Sequence, residues 1–402
     1  MKTLASRRWW TALVWLGLML LMGTWYVQKA VPDLWQRACW LGEWPFEQGC
    51  ETQVFRNDPE AMPEAFGQHL QAHVGDAHAW TGLTAALWLR EDPSTDEALQ
   101  AAQLLAPYNT VVLLARADKA LNARDWPTAA QTLVALVERG HAPARPSLQA
   151  LMLHPEGQKA VLDQVQPGQQ WLDALLASLA PETHPAQVLP LVEQGMQLSL
   201  LKPGTVLGLV DRLKRVNHFA DAYTLWVAQR GQVPLGVFNG DFETRALRRG
   251  FDWEWPQQAA GKTGLRVQQA SASPDPGQLL KVEMTGLAAL PVPMVSQVLW
   301  LPGQAYQLRG RFMTDTVRSR EGLVWALRCA QGGERWASTA PLADTHRRWQ
   351  EFSLDFKVPE ACAGAVRLQL EPQAAWEARA GMTGILYFDQ LAITPESTGE
   401  TP

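Results

Sequence analysis

The segment Asp252-Trp253-Glu254-Trp255 alternates carboxylates with indoles. A flat indole can stack on the apolar C–H face of a sugar ring while neighbouring carboxylates accept protons from its hydroxyls. Trp253 and Trp255 are therefore candidate stacking rings, and Asp252 and Glu254 candidate hydroxyl acceptors, for a polysaccharide or oligosaccharide. Paired carboxylates also serve glycosidases. The rest of the sequence speaks against catalysis, because it has no G-x-S-x-G elbow, no H-E-x-x-H helix and no phosphate loop. His69 and His73 stand four apart, but the stretch between them lacks a glutamate base, and they are expected at the surface. No enzyme is expected.

Composition bounds the partners. The 402 residues carry 35 Lys plus Arg against 40 Asp plus Glu, a net charge of −5, which leaves no basic excess for nucleic acid. Nineteen Trp outnumber eleven Phe and five Tyr, a surplus that core filling alone does not call for. A mean hydropathy of −0.16 excludes a polytopic membrane protein.

One membrane span is nevertheless expected. Lys2, Arg7 and Arg8 precede an uncharged run from Trp9 to Gln28, about the length that crosses a bilayer as a helix. Trp9, Trp10, Trp25 and Tyr26 bracket it at headgroup level, and no small-x-small cleavage site follows. The positive-inside rule puts residues 1–8 in the cytoplasm and everything after Lys29 outside it, which in a bacterium means an inner-membrane anchor with a periplasmic bulk. The four cysteines suit that compartment: Cys39 and Cys50 share the juxtamembrane segment 29–57, and Cys329 and Cys362 share the last third. Each pair could close within its own region, four free buried thiols being the alternative. Cys329 and Cys362, at the end of one expected strand and the start of another, are the pair expected to bond. None forms C-x-x-C, so a zinc ribbon and a thioredoxin motif are excluded.

The elements that must carry these residues divide in two. Over 58–231 apolar residues recur at helical spacing with Pro or Gly at the ends, predicting helices over Ala77–Leu89, Thr95–Leu105, Thr110–Ala123 and Pro127–Arg139. Arg124-Asp125-Trp126-Pro127-Thr128-Ala129 and Asn217-His218-Phe219-Ala220-Asp221-Ala222 both place an aromatic three residues before an alanine. That arrangement resembles the inter-helix turn of a tetratricopeptide repeat, which implies a helical surface for a protein partner, with a poorly fitting stretch from about His141 to Pro203. Over 232–395 period-two stretches replace the helices: Gln278–Met284, Val295–Leu301, Ala305–Met313, Gly322–Cys329, Gln350–Val358, Ala365–Leu370 and Ile385–Ile393. Strands this short and this closely spaced predict an antiparallel β-sandwich. Residues 396–402 read as a tail.

An ordered set of motifs runs through the second region. Phe238-Asn239-Gly240-Asp241-Phe242-Glu243 opens it and Phe251-Asp252-Trp253-Glu254-Trp255 follows. Then come Gly264-Leu265-Arg266-Val267, Leu301-Pro302-Gly303-Gln304-Ala305-Tyr306, Trp349-Gln350-Glu351-Phe352 and Tyr387-Phe388-Asp389-Gln390-Leu391. In that order they resemble a carbohydrate-binding module of the galactose-binding-like jelly-roll group. The resemblance implies a jelly roll that binds glycan, with Trp300 and Trp349 at positions that fill its core. It also implies a structural calcium between the opening and closing strands, for which Glu243 and Asp389 are the matching ligands. The expectation is thus a multidomain, non-enzymatic protein: a membrane anchor, a tetratricopeptide-like helical region and a jelly roll, acting in polysaccharide biosynthesis, assembly or export. A protein scaffold with a purely structural sandwich is the alternative.

Overall fold

The computed structural model describes residues 62–179, 183–231, 236–256, 264–271, 277–286, 288–303 and 305–396. The expected anchor at 9–28 and the pair Cys39 and Cys50 lie outside them. Among the described residues no helix is long and apolar enough to cross a membrane. The chain forms two compact units, one through Leu151 and the other from Met152.

The first unit is helical: α1 (Met62–Ala72), α2 (Ala77–Leu89), α3 (Thr95–Leu105), α4 (Thr110–Asn122), α5 (Trp126–Glu138) and α6 (Ala144–Leu151). Its helices begin where a side chain can satisfy their first amides. Asp76 accepts from His78 N (2.9 Å), Asn109 from Val111 N (2.8 Å) and Asp125 from Thr128 N (3.3 Å). Consecutive helices pack as pairs, α2 with α3 and α4 with α5. Alanines at the contacts, among them Ala102, Ala115, Ala129 and Ala130, are buried and let the axes approach. His69 is structural, its Nε2 lying 2.9 Å from the Asp76 carboxylate that caps α2.

The second unit joins further helices to a sandwich. The helices are α7 (Pro155–Leu162), α8 (Trp171–Ala177), α9 (Leu189–Gln197), α10 (Pro203–Arg215) and α11 (Phe219–Arg230), with a short α12 (Ala375–Ala380) inserted late. The strands are β1 (Leu265–Ser271), β2 (Gln278–Thr285), β3 (Val295–Trp300), β4 (Ala305–Arg318), β5 (Leu323–Cys329), β6 (Ala337–Ser338), β7 (Gln350–Lys357), β8 (Ala365–Pro372) and β9 (Thr383–Pro395). They form an antiparallel five-stranded sheet, β1-β2-β9-β4-β7, and a four-stranded sheet, β3-β8-β5-β6. The core between the sheets takes alternate residues from each strand, for example Leu308 and Phe312 of β4, Leu386 and Phe388 of β9, and Val366, Leu368 and Leu370 of β8. Helices α11 and α12 pack on β3 and β8, strands of the four-stranded sheet.

Two glycines fix how the opening segment meets the rest of the unit. A Cβ on Gly240 would stand 1.8 Å from the Leu391 carbonyl oxygen, so only glycine lets this segment accept the Leu391 amide (2.9 Å) beside β9. Gly250, at φ +67, lies against the buried Trp226 of α11. Cys329, ending β5, is bonded to Cys362 in the turn before β8, as the sequence led us to expect.

Candidate functional site

The opening segment divides its candidate residues between the core and its edge. Trp253 is fully buried, with Phe242 at 5.4 Å and Trp325 at 5.8 Å between ring centroids, and its Nε1 donates to the Asn239 carbonyl (3.0 Å). No ring face is left for a sugar, so Trp253 is a core residue. Asp252 is buried too: its oxygens accept the amides of Leu247 and Trp253, each at 2.7 Å, and close the turn before the segment. Burial pushes its carboxyl above its ordinary value, and the two amides act against that. Trp255 packs half-buried on the edge of the core, with the Arg248 guanidinium 5.1 Å from its ring. Glu254 pairs its main chain with Ser296 and its carboxylate with Lys214 Nζ (3.0 Å). The four residues therefore do not converge. Alternation is the physical reason, because in extended chain successive side chains leave on opposite sides, so Trp253 points into the core while Glu254 points to α10.

The proposed calcium ligands are also engaged by protein donors. Asp389 Oδ2 receives Arg311 Nε (3.1 Å) and Nη2 (2.5 Å), and its Oδ1 receives the Gln390 amide (2.7 Å). Glu243 Oε1 receives the Gln278 amide (2.9 Å). Among the described residues no group of three His, Cys, Asp or Glu side chains is close enough to hold a metal ion. A guanidinium is thus paired with Asp389 and a backbone amide with Glu243.

The side chains that do converge lie on the outer face of the five-stranded sheet. Cross-strand register places Arg311 opposite Asp389, Met313 opposite Tyr387 and Lys281 opposite Tyr387 from the other side. Phe312 and Phe388, one residue along, fill the core, so these residues face outward. Trp349, just before β7, lies with its ring 4.7 Å from the Arg311 guanidinium. The ladder continues through Lys281 to Glu283 (3.4 Å) and on to Arg266 of β1 (3.5 Å). Trp349, Tyr387, Arg311, Lys281 and Glu283 are all partly exposed. Two aromatic rings among fixed donors and acceptors can offer apolar faces to sugar C–H groups and hydrogen bonds to hydroxyls.

Trp349 is therefore not the core residue that the family resemblance implied. A signal for this exists in the sequence: in Gln350-Glu351-Phe352-Ser353-Leu354-Asp355-Phe356 the apolar positions are the even ones, which turns 349 and 351 outward.

No known family and no curated protein matches the chain. Among solved structures, part of it is similar to a carbohydrate-binding module, CBM4, at 15% identity and TM-score 0.29, over 40% of this chain and 99% of the other. It is similar at 14% identity and TM-score 0.29 to the CBM22-1 xylan-binding domain of Xyn10C from Paenibacillus barcinonensis, over 41% of this chain and 97% of that domain. A third, TmCBM61 in complex with β-1,4-galactotriose, matches at 15% identity and TM-score 0.20 over 34% and 92%.

Proposed function

We propose that the protein binds a glycan chain, without catalysis, on the outer face of the five-stranded sheet. The observation that carries this is the juxtaposition of Trp349 and Tyr387 with the Arg311–Asp389 and Lys281–Glu283 pairs on one face. Trp349 is the stacking ring, oriented by Arg311, and the charged pairs supply donors and acceptors whose positions are set before a ligand arrives. A sugar stacked on one or two rings gains ~0.5 to 1.5 kcal/mol per contact beyond area burial, which implies weak affinity unless several sites act together. The absence of catalysis belongs to the same proposal, and it is supported by Asp252, Glu254 and Asp389 each being engaged by protein donors.

We place this activity outside the cytoplasm, on a protein held by the Trp9–Gln28 span, in the assembly or export of a polysaccharide. The support is the positive flank of the span and a disulfide of the kind that persists in oxidising compartments. A protein partner on the helical unit is a second reading, favoured by the exposure of Leu89, Leu104 and Tyr108.

The test is affinity electrophoresis of the full-length protein through gels containing neutral or acidic polysaccharides. Trp349→Ala is expected to abolish retardation with little change in melting temperature. Equal retardation of wild type and Trp349→Ala in every gel that retards the protein, or no retardation in any gel, ends the reading. A reporter fused after Pro402 that is active in the cytoplasm ends the topology.

A further inference from the structure

The opposite side of the sandwich carries a different chemistry. Within the second unit a cleft of about 870 Å³ lies between α10 and the outer face of the four-stranded sheet. That is the volume of a small-molecule site. Val298 of β3 and Arg367 of β8 line it; they face each other across the strand pair, one residue out of step with the core residues Leu299 and Val366.

Its charge is one-sided. Among the described lining residues are six cationic side chains and two carboxylates, in a chain whose net charge is −5. Both carboxylates are taken: Glu254 by Lys214 (3.0 Å) and Asp211 by Arg249 (2.8 Å). Arg248 and Arg367 are held differently. Each donates to a main-chain carbonyl, of Trp255 and of Ala330 respectively, which fixes the guanidinium without neutralising it. Arg215 adds an exposed cation at the last turn of α10. Asn217 and Gln331 place neutral amides in the same lining.

Anchored guanidiniums with uncancelled charge present paired N–H donors that match two oxygens of a carboxylate or a phosphate, and interspersed amides match hydroxyls. We propose that this cleft is a second binding site, for an acidic sugar whose carboxylate or phosphate is read by Arg215, Arg248 and Arg367. The inference rests on the cleft's own residues and stands whether or not the opposite face binds glycan. Lys214 is excluded from direct readout because Glu254 and the Gly250 carbonyl already occupy it.

Calorimetric titration of the full-length protein tests this with trigalacturonate, glucose 6-phosphate, inorganic phosphate and neutral maltotriose. At least one anionic probe is expected to bind about tenfold or more tightly than maltotriose, and to weaken as salt is raised. Arg367→Gln and Arg215→Gln are each expected to weaken that probe by about tenfold, and Trp349→Ala to leave it unchanged. Trigalacturonate alone binding names the carboxylate, and the phosphate probes alone binding name the phosphate. If Arg367→Gln lowers the melting temperature, Arg215→Gln decides, since its side chain is exposed. The proposal is overturned if no anionic probe is preferred over maltotriose, if both arginine variants bind like wild type, or if Trp349→Ala removes the anionic probe.

Discussion

The two outer faces of the sandwich are built from strands with the same alternation but end in different surroundings. On the four-stranded sheet, outward residues meet helices: Val298 and Arg367 line a cleft with α10, and β3 and β8 carry α11 and α12. On the five-stranded sheet the outward residues meet one another, as Arg311 meets Asp389 and Trp349, and Lys281 meets Glu283. In the cleft on the first face Arg248 and Arg367 are steadied by carbonyls, whereas Arg311 and Lys281 on the second face are paired with carboxylates. The difference teaches that ligand chemistry on a sandwich follows from what covers each face, not from strand sequence alone.

The sharpest way to break this comparison is to exchange a buried indole for an outward one. Trp253→Ala should destabilise the second unit by ~3 to 5 kcal/mol, because it empties the space between Phe242 and Trp325. Trp349→Ala should cost about 1 kcal/mol or less, as surface changes usually do. Thermal melts of the two variants that coincide would erase the distinction between core and face.

Next in size is the Cys329–Cys362 bond, which closes a loop with a sequence separation of 33. Replacing both cysteines by serine should lower stability by ~2 to 4 kcal/mol, chiefly by freeing the unfolded chain. The cleft is the sensitive reporter, since Ala330 follows Cys329 directly and accepts from Arg367. Denaturant unfolding with and without reductant measures the loss; superimposed curves would show that the bond does not constrain the chain.

The smallest expected effect is on pH dependence. Burial raises the Asp252 carboxyl, so the folded protein holds that proton to higher pH than the unfolded chain does. The folded state then binds more protons in that window, and stability falls as pH rises from the ordinary carboxylate value through the raised one. Relative to Asp252→Asn, wild type should therefore lose stability on going from about pH 4 to neutrality. A difference between the two proteins that is flat with pH, or that moves toward wild type, would contradict this assignment.

Much of the fold was legible because it depends on local periodicity. The helix limits of α2 and α3 coincide with those expected, and α4 and α5 differ by one residue at the ends. The starts of α2 and α4 are set by capping groups, Asp76 and Asn109, that act within a turn. Strands β2, β3 and β7 likewise fall where period-two stretches predict them. Alternation alone does not say which of two faces is inward. In Phe251-Asp252-Trp253-Glu254-Trp255 both sets looked usable, and only the packing of Trp253 against Trp325 of β5, distant in sequence, sends that indole inside.

By itself, then, the sequence determined the helical and β halves, the Cys329–Cys362 pairing and a surplus of indoles, because each rests on spacing or composition. Tertiary structure decided the roles. It turned Trp349 outward beside Arg311, tied Asp389 to that arginine, and set α10 over the four-stranded sheet so that Arg215, Arg248 and Arg367 line one cleft. These outcomes depend on contacts between segments far apart in the chain, and no local pattern encodes the distance between two such segments.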